Sequence, residues 1–212
     1  MPNRQEIRSE ETRRAILAAA GTLFAERGFD AVTMREIAKQ AGCSHTTIYL
    51  YFKDKEALLH HLSMEPLQSL HQQMEAFLRD QTLAPADSLQ AVTRTFVRFC
   101  LANRNMYTIF FMAKASRVDE ETPALEVQQI RNRLFGLLRQ AVRACLPPDT
   151  PDDRVLAYTR IYFFTLYGII GTYTHSAEPL DHLLKRLEPT FDLAWDVLLA
   201  GFHHTATKGS GA

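Results

Sequence analysis

The sequence predicts an all-α protein, and three observations carry that expectation. Apolar residues recur at helical spacing through most of the chain, as in Ile16, Ala19, Ala20, Leu23 and Phe24. Start and stop signals bracket those stretches, among them Thr33 with Glu36 three residues on, and glycines at Gly28 and Gly42. No stretch reads as a strand, and there is no internal repeat or low-complexity tract.

The elements follow in order. Residues 1–9 are polar and read as a mobile arm. A first helix covers roughly 10–27; Gly28 ends it, and Phe29 folds back as the apolar contact of the cap. The capping box of Thr33 and Glu36 starts a second helix at Met34, with Ile37, Ala38 and Ala41 as its apolar stripe. Gly42 stands where a residue of positive φ is needed. Ser44 then caps a third helix, 45–52. Its Ile48, Tyr51 and Phe52 face inward; His45, Thr46, Tyr49 and Leu50 face outward. Two short helices joined by a glycine-containing turn are a helix-turn-helix, and the first helix packs behind it to make a three-helix unit.

Asp54 caps a fourth helix that runs to about residue 80, with Pro66 inside it as an expected kink. A fifth covers 86–103 and a sixth 106–115, and a turn follows at 120–123. The seventh stops before Pro147 and Pro148. It is amphipathic, with Leu125, Ile130, Leu134, Leu137, Leu138 and Val142 apolar and Arg131, Arg133 and Arg139 outward. The eighth, 152–173, is apolar nearly all round and must be covered on both sides; a second subunit is the natural cover for one of them. The ninth covers 180–202, with Pro189 bending or restarting it, and residues 203–212 read as a disordered tail. The expected organisation is therefore a DNA-binding-type helix-turn-helix domain over 1–53 and a helical bundle over 54–205.

Composition limits the function. The chain has 212 residues and a formal net charge of zero, ordinary for a globular protein. Its first sixty residues hold nine Lys/Arg and eight Asp/Glu. Any nucleic-acid contact must come from placed groups rather than bulk attraction. Three cysteines lie far apart without metal-ligand spacing, so neither a zinc framework nor a disulfide staple is expected. His60, His61 and His71 do not converge, because adjacent histidines on a helix point in different directions. No nucleophile elbow, phosphate loop or paired carboxylates occur, so no enzyme activity, metal or cofactor is expected. The N-terminus does not resemble a signal peptide, and no apolar run approaches the roughly 20 residues that span a bilayer. A cytoplasmic protein with no membrane partner is expected.

The pattern over residues 12–59 resembles the DNA-binding domain of the TetR family of bacterial transcription regulators. It is carried by Phe24, Gly28, Thr33, Ile37, Ala38, Ala41, Gly42, Ser44, Tyr49, Tyr51, Phe52, Lys55, Glu56 and Leu58. The nine-helix layout resembles that family too. The resemblance implies a ligand-responsive homodimer that represses from an inverted-repeat DNA operator and is released by a small apolar or aromatic effector. It pairs the last two helices with those of a twin. The alternative is a helical ligand-binding or adaptor protein of the same fold without operator binding, which the near-neutral first sixty residues favour.

Carried over position by position, the resemblance gives DNA contacts at Thr33, Arg35, Ser44, His45, Thr46, Thr47, Tyr49, Leu50, Tyr51 and Lys55. Arg35 and His45 can donate to guanine, and Thr46 or Leu50 can pack on a thymine methyl. Thr33, Ser44, Thr47, Tyr51 and Lys55 suit phosphates, which set position rather than sequence. Tyr49 suits either. Thr33 and Ser44 also serve as caps, and Tyr51 also suits the core. Thr46 departs from the family, which often has glycine there. Cys43 replaces the usual valine and reads as a small apolar residue or a redox group. Phe96, Phe99, Tyr107, Phe110, Phe111, Tyr158, Tyr162 and Tyr167 are candidates for a ligand pocket or plain core.

Overall fold

The computed structural model describes residues 4–104 and 126–208. These hold eight helices and no strand: α1 (Arg4–Arg27), α2 (Met34–Gln40), α3 (His45–Tyr51), α4 (Lys55–Arg79), α5 (Pro85–Ala102), α6 (Glu126–Ala144), α7 (Asp152–Tyr173) and α8 (Leu180–Lys208). The all-α expectation therefore holds. The expected sixth helix, the turn after it, and Tyr107, Phe110 and Phe111 lie outside the described residues. Two compact units are distinguished. One takes the chain up to Leu67; the other takes Gln68–Arg104 and the helices from Glu126 onward.

Local chemistry places the first unit's helices. Gly28 ends α1 at a φ of 80°, and Gly42 ends α2 at 72°, a region that costs other residues about 1–2 kcal/mol. The core joins Ile16, Ala20 and Phe24 of α1 to Ile37 and Ala38 of α2, Ile48 of α3, and Leu58 of α4, all nearly or fully buried. Phe52 closes α3 in extended geometry and is buried. Residues 4–9 are helical rather than a mobile arm. They carry no helix breaker, and Glu6 sits in the first turn, where a negative charge suits the helix dipole.

The second unit is a helical bundle. α5 packs on α6, α7 and α8, and α7 packs on both α6 and α8. Aromatic side chains knit it together. Tyr162 is fully buried, stacks on Trp195 at 5.0 Å and shares a hydrogen bond of 3.0 Å with Thr93. Tyr158 stacks on Phe202 at 4.6 Å and bonds Thr205 at 2.7 Å. That last contact explains why α8 continues to Lys208 instead of fraying at 203. Pro189 sits inside α8, which runs through without restarting.

α7 has a buried side and an exposed apolar side. Val155, Tyr158, Tyr162, Leu166 and Ile170 are buried in the bundle. On the outer side Ile161 is 45% exposed and Phe164 64%. α8 shows the same duality, with Trp195 buried while Leu193 and Val197 are 63% and 62% exposed. Arg131 departs from the sequence reading: it is buried on α6, not outward. The buried arc of that helix is broad enough to take in Arg131 and Phe135 beside Ile130, Leu134 and Leu138.

Candidate nucleic-acid interface

Two caps fix the short helices. Thr33 N and Oγ1 donate to Glu36 Oε2 at 2.9 and 2.7 Å, while Glu36 N donates to Thr33 Oγ1 at 3.3 Å. The capping box read from the sequence is complete. Arg27 adds a partner, donating to Glu36 Oε1 at 2.8 Å and to the Ala31 carbonyl at 3.0 Å. Ser44 Oγ accepts from Thr47 N at 3.0 Å and lies 2.8 and 2.7 Å from the hydroxyls of Thr46 and Thr47.

The hydrogen bonds from Thr33, and then the Arg27 guanidinium, hold the Glu36 carboxyl down at about 2, against an ordinary 4.5. A depressed carboxyl contributes stability that is present above pH 4.5 and is lost as pH falls towards 2. Glu36→Gln should therefore flatten the decline of melting temperature across that window, leaving the part contributed by Glu178, which is depressed to a similar value. An unchanged profile in the variant would remove Glu36 from the acid response.

α3 presents a distinct outer face. Ile48 is buried, while His45, Thr46, Tyr49 and Leu50 are exposed. Leu50 is 83% exposed and Tyr49 47%. The His45 ring meets the Tyr49 ring edge-on at 5.2 Å. Thr47 and Tyr51 are half-buried at the flanks. Arg35, Lys39 and His45 line a surface hollow of about 440 Å³ with Cys43. Burial raises the Cys43 thiol, which keeps it protonated and unreactive at neutral pH.

Lys55 is placed differently from the other candidates. Its Nζ donates to the carbonyls of Phe29 and Val32 at 2.7 and 2.9 Å and lies 4.3 Å from the centre of the Phe29 ring. In this arrangement the ammonium clasps the loop between α1 and α2. Arg27 and Lys55 thus both support the helix-turn-helix from behind. Neither contact was visible in sequence, because each partner is set by how α1 crosses its neighbours.

The aromatic candidates of the bundle differ in burial. Phe96, Tyr158 and Tyr162 are buried, Phe99 is half-buried and Tyr167 is 38% exposed. Among the described residues no group of His, Cys, Asp or Glu could hold a metal ion, and no helix is long and apolar enough to cross a membrane.

A capped helix pair presenting a hydrogen-bonding face, carried with a helical bundle, defines the helix-turn-helix class of DNA-binding regulators. Residues 16–62 match the family described as bacterial regulatory proteins, tetR family, and residues 89–198 match the tetracyclin repressor-like C-terminal domain. The chain is 32% identical over 198 residues to the HTH-type transcriptional repressor Rv1474c of Mycobacterium tuberculosis, covering 91% of this chain and 96% of that one. Its fold is similar to that of BioQ solved with its double-stranded DNA operator (TM-score 0.61, 18% identity, 90% and 96% covered). It is also similar to FadR of Bacillus subtilis in complex with stearoyl-CoA (TM-score 0.59, 21% identity, 90% and 99% covered). The protein belongs to the TetR family of transcription regulators.

Proposed function

We propose that the protein is a homodimeric repressor that binds an inverted-repeat operator through α3 and is released by a small apolar or aromatic effector. The exposed face of His45, Thr46, Tyr49 and Leu50 carries this reading: short hydrogen-bonding groups beside an aromatic suit the major groove. Arg35 and His45 donate to guanine, and Thr46 and Leu50 pack on thymine methyls. Thr33, Ser44, Thr47 and Tyr51 set position on phosphates, and Lys55 contributes by holding the loop behind them. Residues 1–53 form the DNA-binding domain and 54–205 the effector and dimerisation domain, in a cytoplasmic protein. BioQ and FadR, solved with an operator and an acyl-CoA, support both partner classes.

Dimerisation runs through α7 and α8, whose outward apolar residues are motive enough: Ile161, Phe164, Leu193 and Val197 are each nearly half exposed or more on the single chain. The effector site draws on Phe96, Phe99, Tyr158, Tyr162 and Tyr167; the further candidates Tyr107, Phe110 and Phe111 lie outside the described residues. The effector acts by changing the spacing of the two recognition helices. A preference of about 1–3 kcal/mol for the non-binding spacing changes operator affinity roughly 5- to 150-fold. The test is a mobility shift with DNA flanking the protein's own gene. Retention of that DNA against an excess of shuffled sequence is expected; equal affinity for both contradicts the reading.

A further inference from the structure

α5 and α8 lie antiparallel. Gln90 and Arg94 of α5 reach Asp192, while Arg98, further along α5, reaches back to Asp181. Between the two helices is a groove of about 270 Å³, just below the roughly 300–1,000 Å³ of sites that take drug-sized molecules. Its inner wall is buried and largely apolar, made by Val97, Phe191 and Trp195 with Thr93 beside them. Among the described residues its lining shares no side chain with the aromatic effector candidates.

The two ends of the groove differ in chemistry. At one end Trp195 is 3% exposed, and its Nε1 is buried without a hydrogen-bond partner. Native structures ordinarily pair such a donor with protein, water or ligand. At the other end stand Arg98, Asp181 and Lys185. The Arg98–Asp181 pair rests on one contact of 2.6 Å between side chains 58% and 81% exposed, so it is worth little and exchanges readily. Among the described residues Lys185 has no hydrogen bond or ion pair. That end therefore carries one uncompensated positive charge. Between the ends, Arg94 is already held by Glu188 and Asp192. Lys185 and Trp195 are ten positions apart on α8, about 15 Å along its axis.

We propose that this groove binds an elongated organic acid, with its acid group on Arg98 and Lys185 and a hydrogen-bond acceptor at its far end on Trp195 Nε1. The groove lies apart from the proposed effector site and does not depend on it. The carboxylate replaces Asp181 as the partner of Arg98 and neutralises Lys185. A neutral molecule of the same shape makes neither charge-assisted bond. The apolar body covers Val97 and Phe191. The Nε1 is covered in the free chain, so the acceptor reaches it as the end of the ligand parts the lining there. In that apolar setting a hydrogen bond is stronger than in water.

Trp195 is the single tryptophan of the chain, so its fluorescence reports on the groove directly. The full chain is titrated with three probes below their micellar concentrations: 10-hydroxydecanoate, decanoate, which lacks the far acceptor, and 1,10-decanediol, which lacks the acid. The hydroxy acid should give a saturable change and bind about fivefold tighter than decanoate and about tenfold tighter than the diol. Arg98→Gln with Lys185→Gln should remove the preference over the diol and leave the diol's own affinity unchanged. Both side chains are exposed, so this variant should keep its fold. Trp195→Phe, followed by calorimetry, should equalise the hydroxy acid and decanoate. No saturable change in the wild type overturns the proposal. Equal affinity of the wild type and the double variant for the hydroxy acid does the same, since the acid then sits elsewhere. Equal affinity of the wild type for the hydroxy acid and decanoate also overturns it, since the indole then takes no part. None of these outcomes depends on DNA binding.

Discussion

Replacing Phe164 and Leu193 together by glutamate should leave a folded monomer that has lost operator binding. Both side chains are more than half exposed on the single chain and contribute little to its own core, so helicity should be retained. In a two-fold symmetric interface each new carboxylate meets the same patch on the twin, and the pair of helices carries four added charges. Losing the dimer also loses the second half-site. Bivalency of this kind is worth on the order of 10²–10⁴ in affinity, and operator affinity should fall by that factor. Sedimentation at micromolar concentration checks the oligomeric state, and circular dichroism the fold. A variant that remains a dimer would place the interface on another face.

Tyr49→Ala should have the next largest effect. Tyr49 stands on the outer side of α3 and its ring supports the His45 imidazole. A good base contact is worth about 1–3 kcal/mol, and the dimer makes each contact twice. The expected loss is therefore about 2–6 kcal/mol, roughly 30-fold or more in operator affinity. Melting temperature should be nearly unchanged, because Ile48 and not Tyr49 fills the core. His45→Ala should relax base preference more than it weakens binding to random DNA. Equal losses on operator and random DNA would make His45 a phosphate contact.

The helix-turn-helix was legible because its signals are local. Thr33 and Glu36, Gly42, and Ser44 each fix a helix end through a partner no more than three or four residues away. The inward and outward faces of α3 follow from seven consecutive residues. Helix ends that touch nothing apolar were not legible: α1 begins at Arg4 among exposed residues, where periodicity carries no signal. The end of α8 depends on Thr205 reaching Tyr158, a contact across 47 positions. Side-chain direction failed for the same reason. Lys55 turns to carbonyls 23 and 26 residues away. The charge of Arg131 predicts an outward side chain, although its place on the helix falls inside the buried arc. Charged residues on a broad apolar arc are thus where sequence patterning misleads.

The central claim is that two copies of α3 read one DNA site together. Hydroxyl-radical footprinting on the DNA flanking the protein's own gene tests it most directly. The account predicts protection of an inverted repeat on one face of the duplex, with half-site centres about 34–36 Å apart or a multiple of that distance. The protection should disappear with Tyr49→Ala and with the Phe164→Glu, Leu193→Glu variant. Uniform protection without a repeat, or the same footprint from the monomeric variant, would contradict it.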